Sequence, residues 1–268
     1  MPELPEVETV VRTLENQIQG ACIRSVEVLY PKMIEMDPDE FSQKLVGEHF
    51  LRFERRGKYL IFRMDHCTLV AHLRMEGKFF IQSADDPVNW HMHVLITLLD
   101  GRQLRYQDTR KFGRMMLLDK DYDFSHFHNL GPEPFDKDCS EDYIYRICKS
   151  RSLPLKTLLL DQSFIAGIGN IYADEILFAC GLRPGRRCDR ITHKDALHIH
   201  DEMVRILHEA IAAGGTTIRT YTSSLGVTGR FQLSCMVHTM KTCRACGSDI
   251  HVRYIGGRSS YYCPVCQK

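Results

Sequence analysis

The chain has 268 residues, enough for one large domain or for two of medium size with an appendage. No stretch approaches the roughly 20 consecutive apolar residues of a membrane-spanning helix, and the N-terminus lacks the basic and apolar regions of a secretory signal. Lys and Arg number 35 and Asp and Glu 34, so net charge neither indicates nor excludes a nucleic-acid partner. The eleven cysteines, an odd number without a signal, predict free thiols in a reducing compartment, and we expect a cytoplasmic protein.

The chain opens with MPELPEVETV, and residues 5–19 predict an amphipathic helix. Glu6 and Glu8 suit the positive end of its dipole. Glu3 lies before the predicted helix and has no such explanation. If Met1 is removed, the nitrogen of Pro2 becomes a secondary amine beside Glu3. The N-terminal residues therefore either only begin the helix or also provide a nucleophile.

Residues 21–119 predict a mainly β region with one helix near 38–45. The expected strands are IRSVEVLY, HFLRFERR, KYLIFRM, TLVAHLRM, GKFFIQ, MHVLITLL and RQLRYQD, which Gly, Asp and Pro separate. Many short strands of this kind favour an antiparallel sandwich or barrel. LGPEPF at 130–135 is rich in structure breakers and is the expected domain boundary.

After this boundary the pattern becomes helical. The expected helices are EDYIYRICKS, LKTLLLD, NIYADEILFACG and THKDALHIHDEMVRILHEAIAAGG. Thr192 and Asp195 occupy capping-box positions in the last of these. In SFIAGIGNIY, glycines precede Asn170, which we expect to be an N-cap, and the amides there either bind a phosphate or simply form an ordinary cap. Residues 214–232 form a long Gly/Ser/Thr-rich stretch, and loops of this length are usually functional or disordered.

Positive charge is concentrated in three segments, at 52–63, 102–114 and 241–268. Such segments on a neutral protein suit an anionic partner that binds one side of it. The alternative is that each segment is only a solvated strand or loop.

Two C-x-x-C pairs at the C-terminus, separated by sixteen residues, predict a four-thiolate zinc site. The ligands are Cys243, Cys246, Cys263 and Cys266. The intervening residues predict a hairpin around Gly256-Gly257 with Arg258 at its tip. Redox-active pairs are the alternative, but no βαβ context supports them. Arg258 is either an exposed turn residue or a phosphate contact.

Taken together, these motifs resemble the bacterial formamidopyrimidine-DNA glycosylases, which remove oxidised purines from DNA. The resemblance runs through PELPEVETV, RGKYLIF, AHLRMEGKF, RYQDTRKFG, NLGPEP, GIGNIYADEILF, AGGTTIRTY and CPVCQK. It implies an α+β multidomain fold with three parts. These are an N-terminal β-sandwich with a leading helix at 1–130, a helical domain with a helix–two-turn–helix at 131–235, and a C-terminal zinc-finger hairpin at 236–268.

The resemblance implies that mature Pro2 is the nucleophile, Glu3 the general acid/base and Glu6 a supporting carboxylate. Lys58 and Arg258 are placed with the catalytic residues, as phosphate contacts around the flipped nucleotide. One structural Zn²⁺ is expected. The expected partner is double-stranded DNA with oxidised bases, without a membrane, and the protein is expected to be a monomer.

The resemblance also implies further DNA contacts. Met75, Arg110 and Phe112 match the residues that fill the gap left by the extruded nucleotide. The remaining expected DNA-binding residues are His72, Asn170 and His91. Expected base-recognition residues are Glu76, Thr217, Arg219 and Tyr221.

The sequence departs from the family pattern at two points. His238 replaces a Tyr that touches phosphate, which puts that contact in doubt, and the family's HDH is His91-Met92-His93 here. Three alternatives remain: an endonuclease VIII-like enzyme for oxidised pyrimidines, a non-catalytic zinc-ribbon DNA-binding protein, and an RNA-binding zinc protein. The last predicts a cluster of stacking aromatics on a sheet, which the sequence does not show.

Overall fold

A computed structural model describes residues 1–216 and 229–268. Its described residues divide into two compact units. The first contains Met1–Phe124 together with 214–216 and Gly229, and the second contains Ser125–Ala213 and Arg230–Lys268. The predicted boundaries at residues 130 and 235 stay predictions.

The first unit is a β-sandwich with a leading helix. Its elements are α1 (Leu4–Ile18), β1 (Ile23–Val28), α2 (Pro38–Leu45), β2 (Arg52–Arg56), β3 (Tyr59–Arg63), β4 (Cys67–His72), β5 (Lys78–Ser83), β6 (Met92–Leu98), β7 (Arg102–Gln107) and β8 (Arg114–Asp119). The strands form two antiparallel sheets, ordered β1-β6-β7-β5 and β2-β3-β4-β8. One apolar core takes side chains from α1 and from both sheets, which is why the helix is amphipathic.

The seven predicted strands are all present, and β8 is an eighth strand that was not predicted from the sequence. Its sequence RMMLLD lacks β-branched residues, which are enriched in strands, and it contains Met and Leu, which favour helices. The strand forms because β4 supplies a complete antiparallel partner, with Cys67 opposite Asp119 and His72 opposite Arg114.

The second unit is helical and carries a hairpin near the C-terminus. Its elements are α3 (Glu141–Lys149), α4 (Leu155–Leu159), α5 (Asn170–Ala179), α6 (His193–Ala212), β9 (His251–Ile255) and β10 (Arg258–Tyr262). The predicted capping box of Thr192 and Asp195 begins α6. The prediction of Asn170 as an N-cap is wrong. Gly169 is the N-cap and Asn170 is the first helical residue, because Gly169 has the extended backbone that a cap adopts.

Within the described residues, no helix is both long and apolar enough to cross a membrane. Five of the seven cysteines outside the C-terminal cluster are buried in the interior, so they pack as small apolar side chains.

Candidate functional site

The N-terminal end of α1 holds Pro2 and Glu3 in a buried position. Glu3 is the N-cap of the helix, and its N–H donates to Oε2 of Glu6 at 2.9 Å. Oε1 of Glu6 accepts the backbone N–H of Thr216 at 2.7 Å and its hydroxyl at 3.0 Å. At Gly215, a Cβ would lie 2.7 Å from the same oxygen. The fully buried Glu6 therefore fixes the backbone of Glu3, and with it the position of Pro2.

Lys58 lies in the hairpin between β2 and β3 and is 6% exposed. Arg55 connects this hairpin with the beginning of α1. Its Nε donates to Glu8 at 3.0 Å and its Nη1 to the carbonyl of Gly57 at 2.9 Å. The guanidinium is nearly buried, so the ion pair is only weakly screened by solvent. Glu8, assigned from sequence only to the helix dipole, thus helps to hold the loop that carries Lys58.

His72 ends β4 opposite Tyr59, the residue that follows Lys58. The rings of His72 and Tyr59 meet edge to face, with centroids 4.5 Å apart. Nδ1 of His72 accepts the backbone N–H of Arg74 at 2.9 Å, so the neutral ring carries its proton on Nε2. This nitrogen is a hydrogen-bond donor, as a phosphate contact requires.

Arg110 and Phe112 lie in a short loop whose shape is set by Asp108. The fully buried carboxylate accepts three backbone N–H groups, from Arg110 at 3.0 Å, Phe112 at 2.9 Å and Gly113 at 2.8 Å. The guanidinium of Arg110 lies over the ring of Phe112 at 4.8 Å, and that ring is 46% exposed. The loop therefore presents an apolar ring and a cation together in a fixed conformation.

Tyr106 connects this loop with the turn that carries Met75. Its hydroxyl oxygen would lie 1.7 Å from a Cβ at Gly113 and 2.1 Å from one at Gly77. Both positions consequently require glycine. Burial raises the pKa of the Tyr106 phenol well above its usual value. Met75 is half-buried in the turn before Gly77, so the two loops share one buried support.

The His91-Met92-His93 segment is joined to the same loop. The backbone N–H of Asp108 donates to the carbonyl of His91 at 3.0 Å, and Nε2 of His93 donates to the carbonyl of Asp108 at 2.8 Å. His93 is 2% exposed, and burial lowers its pKa. His91 is half-buried. His93 therefore supports the loop from the interior, whereas His91 lies nearer the surface.

In the second unit, Asn170 and Arg258 are brought together by Ser259. The carbonyl of Ser259 accepts Nδ2 of Asn170 at 3.1 Å and Nζ of Lys156 at 2.9 Å. Lys156 is fully buried and pairs with Asp174 on α5 at 2.7 Å. Because Arg258 directly precedes Ser259, this network fixes the exposed arginine relative to the beginning of α5.

The segment before the C-terminal cysteines is also held by α5. The carboxylate of Glu175 accepts the backbone N–H groups of residues 236–238 at 2.7–3.0 Å. Burial raises the pKa of Glu175, in opposition to these hydrogen bonds. Nδ1 of His238 lies 2.8 Å from Asp174, and its ring meets that of Tyr261 edge to face. His238 is thus built into the same network as Asn170.

Cys243, Cys246, Cys263 and Cys266 form a cluster that can hold a metal ion, with all four sulfur atoms within 4.8 Å of one another. Two of the Sγ–Sγ distances are 3.9 Å, for Cys243–Cys266, and 3.5 Å, for Cys246–Cys263. A tetrahedral zinc with bonds of about 2.3 Å needs sulfur atoms roughly 3.8 Å apart. The donor set therefore fits zinc.

Other sequence predictions have different outcomes. Glu76 lies half-buried in the Met75 turn. Thr217, Arg219 and Tyr221 fall outside the described residues. Sequence reasoning missed the supporting residues, which are Asp108, Tyr106, Lys156 and Asp174. The signal for Asp108 is an Asp that opens a DTRKFG turn, since Asp commonly accepts the N–H groups that follow it.

Comparison with known proteins identifies two families of domain. Residues 1–115 match the formamidopyrimidine-DNA glycosylase N-terminal domain, and residues 130–222 match the formamidopyrimidine-DNA glycosylase H2TH domain. The formamidopyrimidine-DNA glycosylases of Bacillus licheniformis and Bacillus subtilis are each 42% identical to the chain. The alignments cover 100% of the chain and 100% and 99% of these relatives.

Solved structures give the same result. The Lactococcus lactis Fpg in complex with DNA containing N7-benzyl-Fapy-dG is 38% identical, with a TM-score of 0.94 and 100% coverage of both chains. A complex of the Lactococcus lactis Fpg with DNA containing an abasic site has a TM-score of 0.93 at 37% identity and covers 99% of each chain. The sandwich, the helical domain and the cysteine hairpin expected from the sequence are thereby confirmed.

Proposed function

The chain belongs to the formamidopyrimidine-DNA glycosylase family, and we propose that it excises oxidised purines from double-stranded DNA and then cleaves the strand. The observation that carries the proposal is the buried end of α1. There Glu6 fixes Glu3 beside Pro2, in a chain similar to these enzymes over its full length. The other proposed site residues fall into three groups. They react at the sugar, contact the phosphates, or fill the space that the extruded nucleotide leaves in the duplex.

Pro2 is the proposed nucleophile once Met1 has been removed, because only then is its nitrogen an amine and not an amide. An α-amino group titrates near pH ~7.7–8.0, so part of it is unprotonated close to neutrality. The nitrogen forms a bond to C1′ of the sugar as the bond from C1′ to the base breaks. The departing base takes the bonding electrons and gains a proton, and the sugar ring opens to leave an iminium.

Strand cleavage follows from the iminium, because its positive charge acidifies the proton on C2′. Removal of this proton expels the 3′ phosphate by β-elimination, and a further proton loss expels the 5′ phosphate by δ-elimination. A carboxyl group must move these protons, and Glu3 is the proposed acid/base because it directly follows the nucleophile. Glu6 supports it by holding its backbone.

Lys58, His72, Asn170 and Arg258 are the proposed contacts to DNA phosphates, and His91 is a further proposed DNA contact. His72 has the donor tautomer, and Lys58 directly precedes Tyr59, the residue that pairs with His72. Asn170 and Arg258 share the carbonyl network of Ser259 in the second unit. Contacts of this kind fix the register of an enzyme on the duplex without reading its sequence.

Met75, Arg110 and Phe112 are proposed to fill the gap that the extruded nucleotide leaves. Extrusion costs stacking and pairing energy, which inserted side chains partly recover. The support from Asp108 and Tyr106 suits this role, because a loop with a fixed shape loses little entropy on insertion. Glu76, Thr217, Arg219 and Tyr221 are proposed to contact the extruded base.

One zinc ion is proposed at the four cysteines. Coordinated by four thiolates, the ion would stabilise the hairpin that carries Arg258. It would have a structural role and take no part in the reaction. We also propose that the protein is a monomer that acts in the cytoplasm. Size-exclusion chromatography with light scattering tests the oligomeric state.

The deciding experiment is borohydride trapping on a duplex with one 8-oxoguanine opposite cytosine, followed by mass spectrometry of the adduct. We expect an adduct at Pro2 on a chain without Met1. The same chain should give none on undamaged DNA, and protein that retains Met1 should give none on either duplex. Glu3→Gln should bind the duplex but accumulate less adduct.

The outcomes separate the alternatives. Trapping on oxidised pyrimidines but not on 8-oxoguanine would support the endonuclease VIII-like enzyme. Binding without any adduct, from a chain that lacks Met1 and contains zinc, would support the non-catalytic DNA-binding protein. Either result would contradict the proposal.

A further inference from the structure

Trp90 is the single tryptophan of the chain, and it is 87% exposed. It lies at the end of the connection between β5 and β6, directly before His91, and its ring packs on that of His91 with centroids 5.0 Å apart. Val88 in the same connection is 46% exposed. A single exposed apolar side chain is common, but tryptophan is enriched at binding interfaces, because its ring buries a large area while its N–H stays polar.

The connection that carries Trp90 is held in place by a buried arginine. Arg105 on β7 is fully buried, and its guanidinium donates to the carbonyl oxygens of Ser83 at 2.9 Å, Asp86 at 2.8 Å and Pro87 at 3.2 Å. Burial of a cation is costly unless its donors are satisfied, and here the backbone of the connection satisfies them. The connection therefore wraps around the guanidinium, which fixes its backbone as far as Pro87, three residues before Trp90.

Strand register places Trp90 at the end of the sheet that carries the DNA contacts. Lys78 on β5 and Met92 on β6 both pair with Gln107 on β7. Nδ2 of Asn89 donates to the side chain of Gln107 at 3.2 Å. Three segments therefore meet at this end, which are the Met75 turn, the Trp90–His91 segment and the Arg110–Phe112 loop.

The charges at this end of the sheet favour an anionic partner. Arg110 and Lys111 are exposed in the loop. The acidic residues of the connection, Asp85 and Asp86, follow Ser83 and Ala84, and Ser83 pairs with Arg102 at the opposite end of β7. An aromatic side chain beside exposed cations is the combination that nucleic-acid surfaces use, with cations for phosphates and rings for sugars and bases.

We propose that Trp90 is an additional DNA-binding residue, which packs on the nucleotides beside the point where Arg110 and Phe112 enter the duplex. The inference rests on the proposed function, because that function places DNA against this end of the sheet. Trp90 extends the contact along the strand, whereas Phe112 fills the gap. The partner is duplex DNA with or without a lesion.

Because the chain has one tryptophan, its fluorescence reports this contact directly. We expect a stable abasic-site analogue duplex to shift and quench the emission and to protect the indole from acrylamide. The change should saturate at the Kd measured from the anisotropy of labelled DNA. Trp90→Ala should raise that Kd about fivefold or more, and Trp90→Phe should largely retain binding.

Leu99→Ala is the matched control, because Leu99 is 66% exposed in the turn between β6 and β7 at the opposite end of the sheet. Its Kd should equal that of the unaltered protein. The inference would be overturned if the indole stays equally accessible to acrylamide at saturating DNA and the Kd of Trp90→Ala is unchanged. Trp90 would then be a candidate contact for a protein partner instead of DNA. If the unaltered protein still forms the Pro2 adduct in that case, the proposed function stands. If it neither binds nor forms the adduct, the function fails as well.

Discussion

Glu6 and Thr216 are joined by two hydrogen bonds to one carboxylate oxygen, from the backbone N–H at 2.7 Å and from the hydroxyl at 3.0 Å. The other oxygen accepts the N–H of Glu3. All of these partners are donors, so Glu6→Gln would turn an NH₂ group toward one of them. We expect the rate of borohydride trapping to fall about tenfold. This factor corresponds to the loss of one charge-assisted hydrogen bond, which leaves a buried donor without an acceptor.

Glu8→Gln is the matched control for Glu6→Gln. Glu8 lies on the same helix but pairs with Arg12 and Arg55, and its side chain is 20% exposed. We expect a smaller loss there, seen as weaker DNA binding and not as slower trapping once DNA is saturating. Equal effects of the two substitutions on the trapping rate would contradict a specific role for Glu6.

Gly113→Ala should disrupt the loop that carries Phe112. Its Cβ would lie 1.7 Å from the Tyr106 hydroxyl oxygen, so the loop or the ring must move. We expect a loss of about 1–3 kcal/mol in the free energy of unfolding, as is usual for overpacking of a core. Binding to lesion-containing DNA should also weaken, and both are measurable by urea denaturation and by fluorescence anisotropy.

Tyr106→Phe tests the cause of that effect. The hydroxyl is buried, and burial together with the nearby Asp108 carboxylate raises its pKa, but it makes no hydrogen bond of good geometry among the described residues, so we expect its removal alone to change the stability little. In the double variant with Gly113→Ala, part of the lost stability and binding should return. No recovery would contradict a role of the hydroxyl itself and would attribute the strain to the ring, because phenylalanine retains the Cζ atom that lies 2.7 Å from the added Cβ.

Features set by local sequence were predictable. The capping box of Thr192 and Asp195, the hairpin at Gly256-Gly257 and the cysteine cluster each follow from residues a few positions apart or from a fixed spacing. The same holds for α1, whose apolar face has helical periodicity. The resemblance to a family, and not periodicity, supplied the sandwich and the candidate roles of Pro2, Met75 and Phe112.

The supporting network was not predictable in the same way, because it depends on contacts between residues far apart in the chain. Lys156 meets Ser259 across 103 positions, and Thr216 meets Glu6 across 210. In the sequence, Tyr106 cannot be told from an ordinary core residue. Only the structure shows that its hydroxyl leaves no room for a Cβ at Gly77 or Gly113. Strand β8 was missed for a similar reason, since its strand state comes from pairing with β4.

The cysteine cluster predicts one zinc ion per chain. Cys263→Ser should lose the metal, measured by elemental analysis, because three thiolates leave the tetrahedral site incomplete. DNA binding should weaken strongly, since a metal supplies much of the folding energy of such a small segment. Cys139→Ser is the control, because Cys139 is a buried thiol outside the cluster.

The control should keep its zinc and its DNA binding even if its stability falls. Removal of the metal from the unaltered protein with a chelator should reproduce the Cys263→Ser result and be reversed by added zinc. Trapping activity that survives the loss of zinc at unchanged DNA affinity would contradict a role for the metal in holding Arg258.

His93 makes the first unit sensitive to acid. Burial lowers its pKa below the ordinary histidine value of about 6.5, so the folded protein keeps the ring neutral where the unfolded chain is already protonated. The unfolded state then binds more protons, and stability is present above that value and is lost as the pH falls through the lowered pKa. The hydrogen bond from Nε2 to the Asp108 carbonyl is also made by the protonated ring, so the cost of protonation comes from burial.

His93→Gln retains an N–H donor for the Asp108 carbonyl but does not titrate in this range. We therefore expect the unaltered protein to lose more stability than the variant between about pH 7.5 and about pH 5. Urea unfolding followed by circular dichroism at the two pH values measures this difference. Because all other titrating groups are shared, their contribution cancels to first order. Equal losses in the two proteins would show that His93 is protonated as readily in the folded protein as in the unfolded chain, which would contradict the prediction.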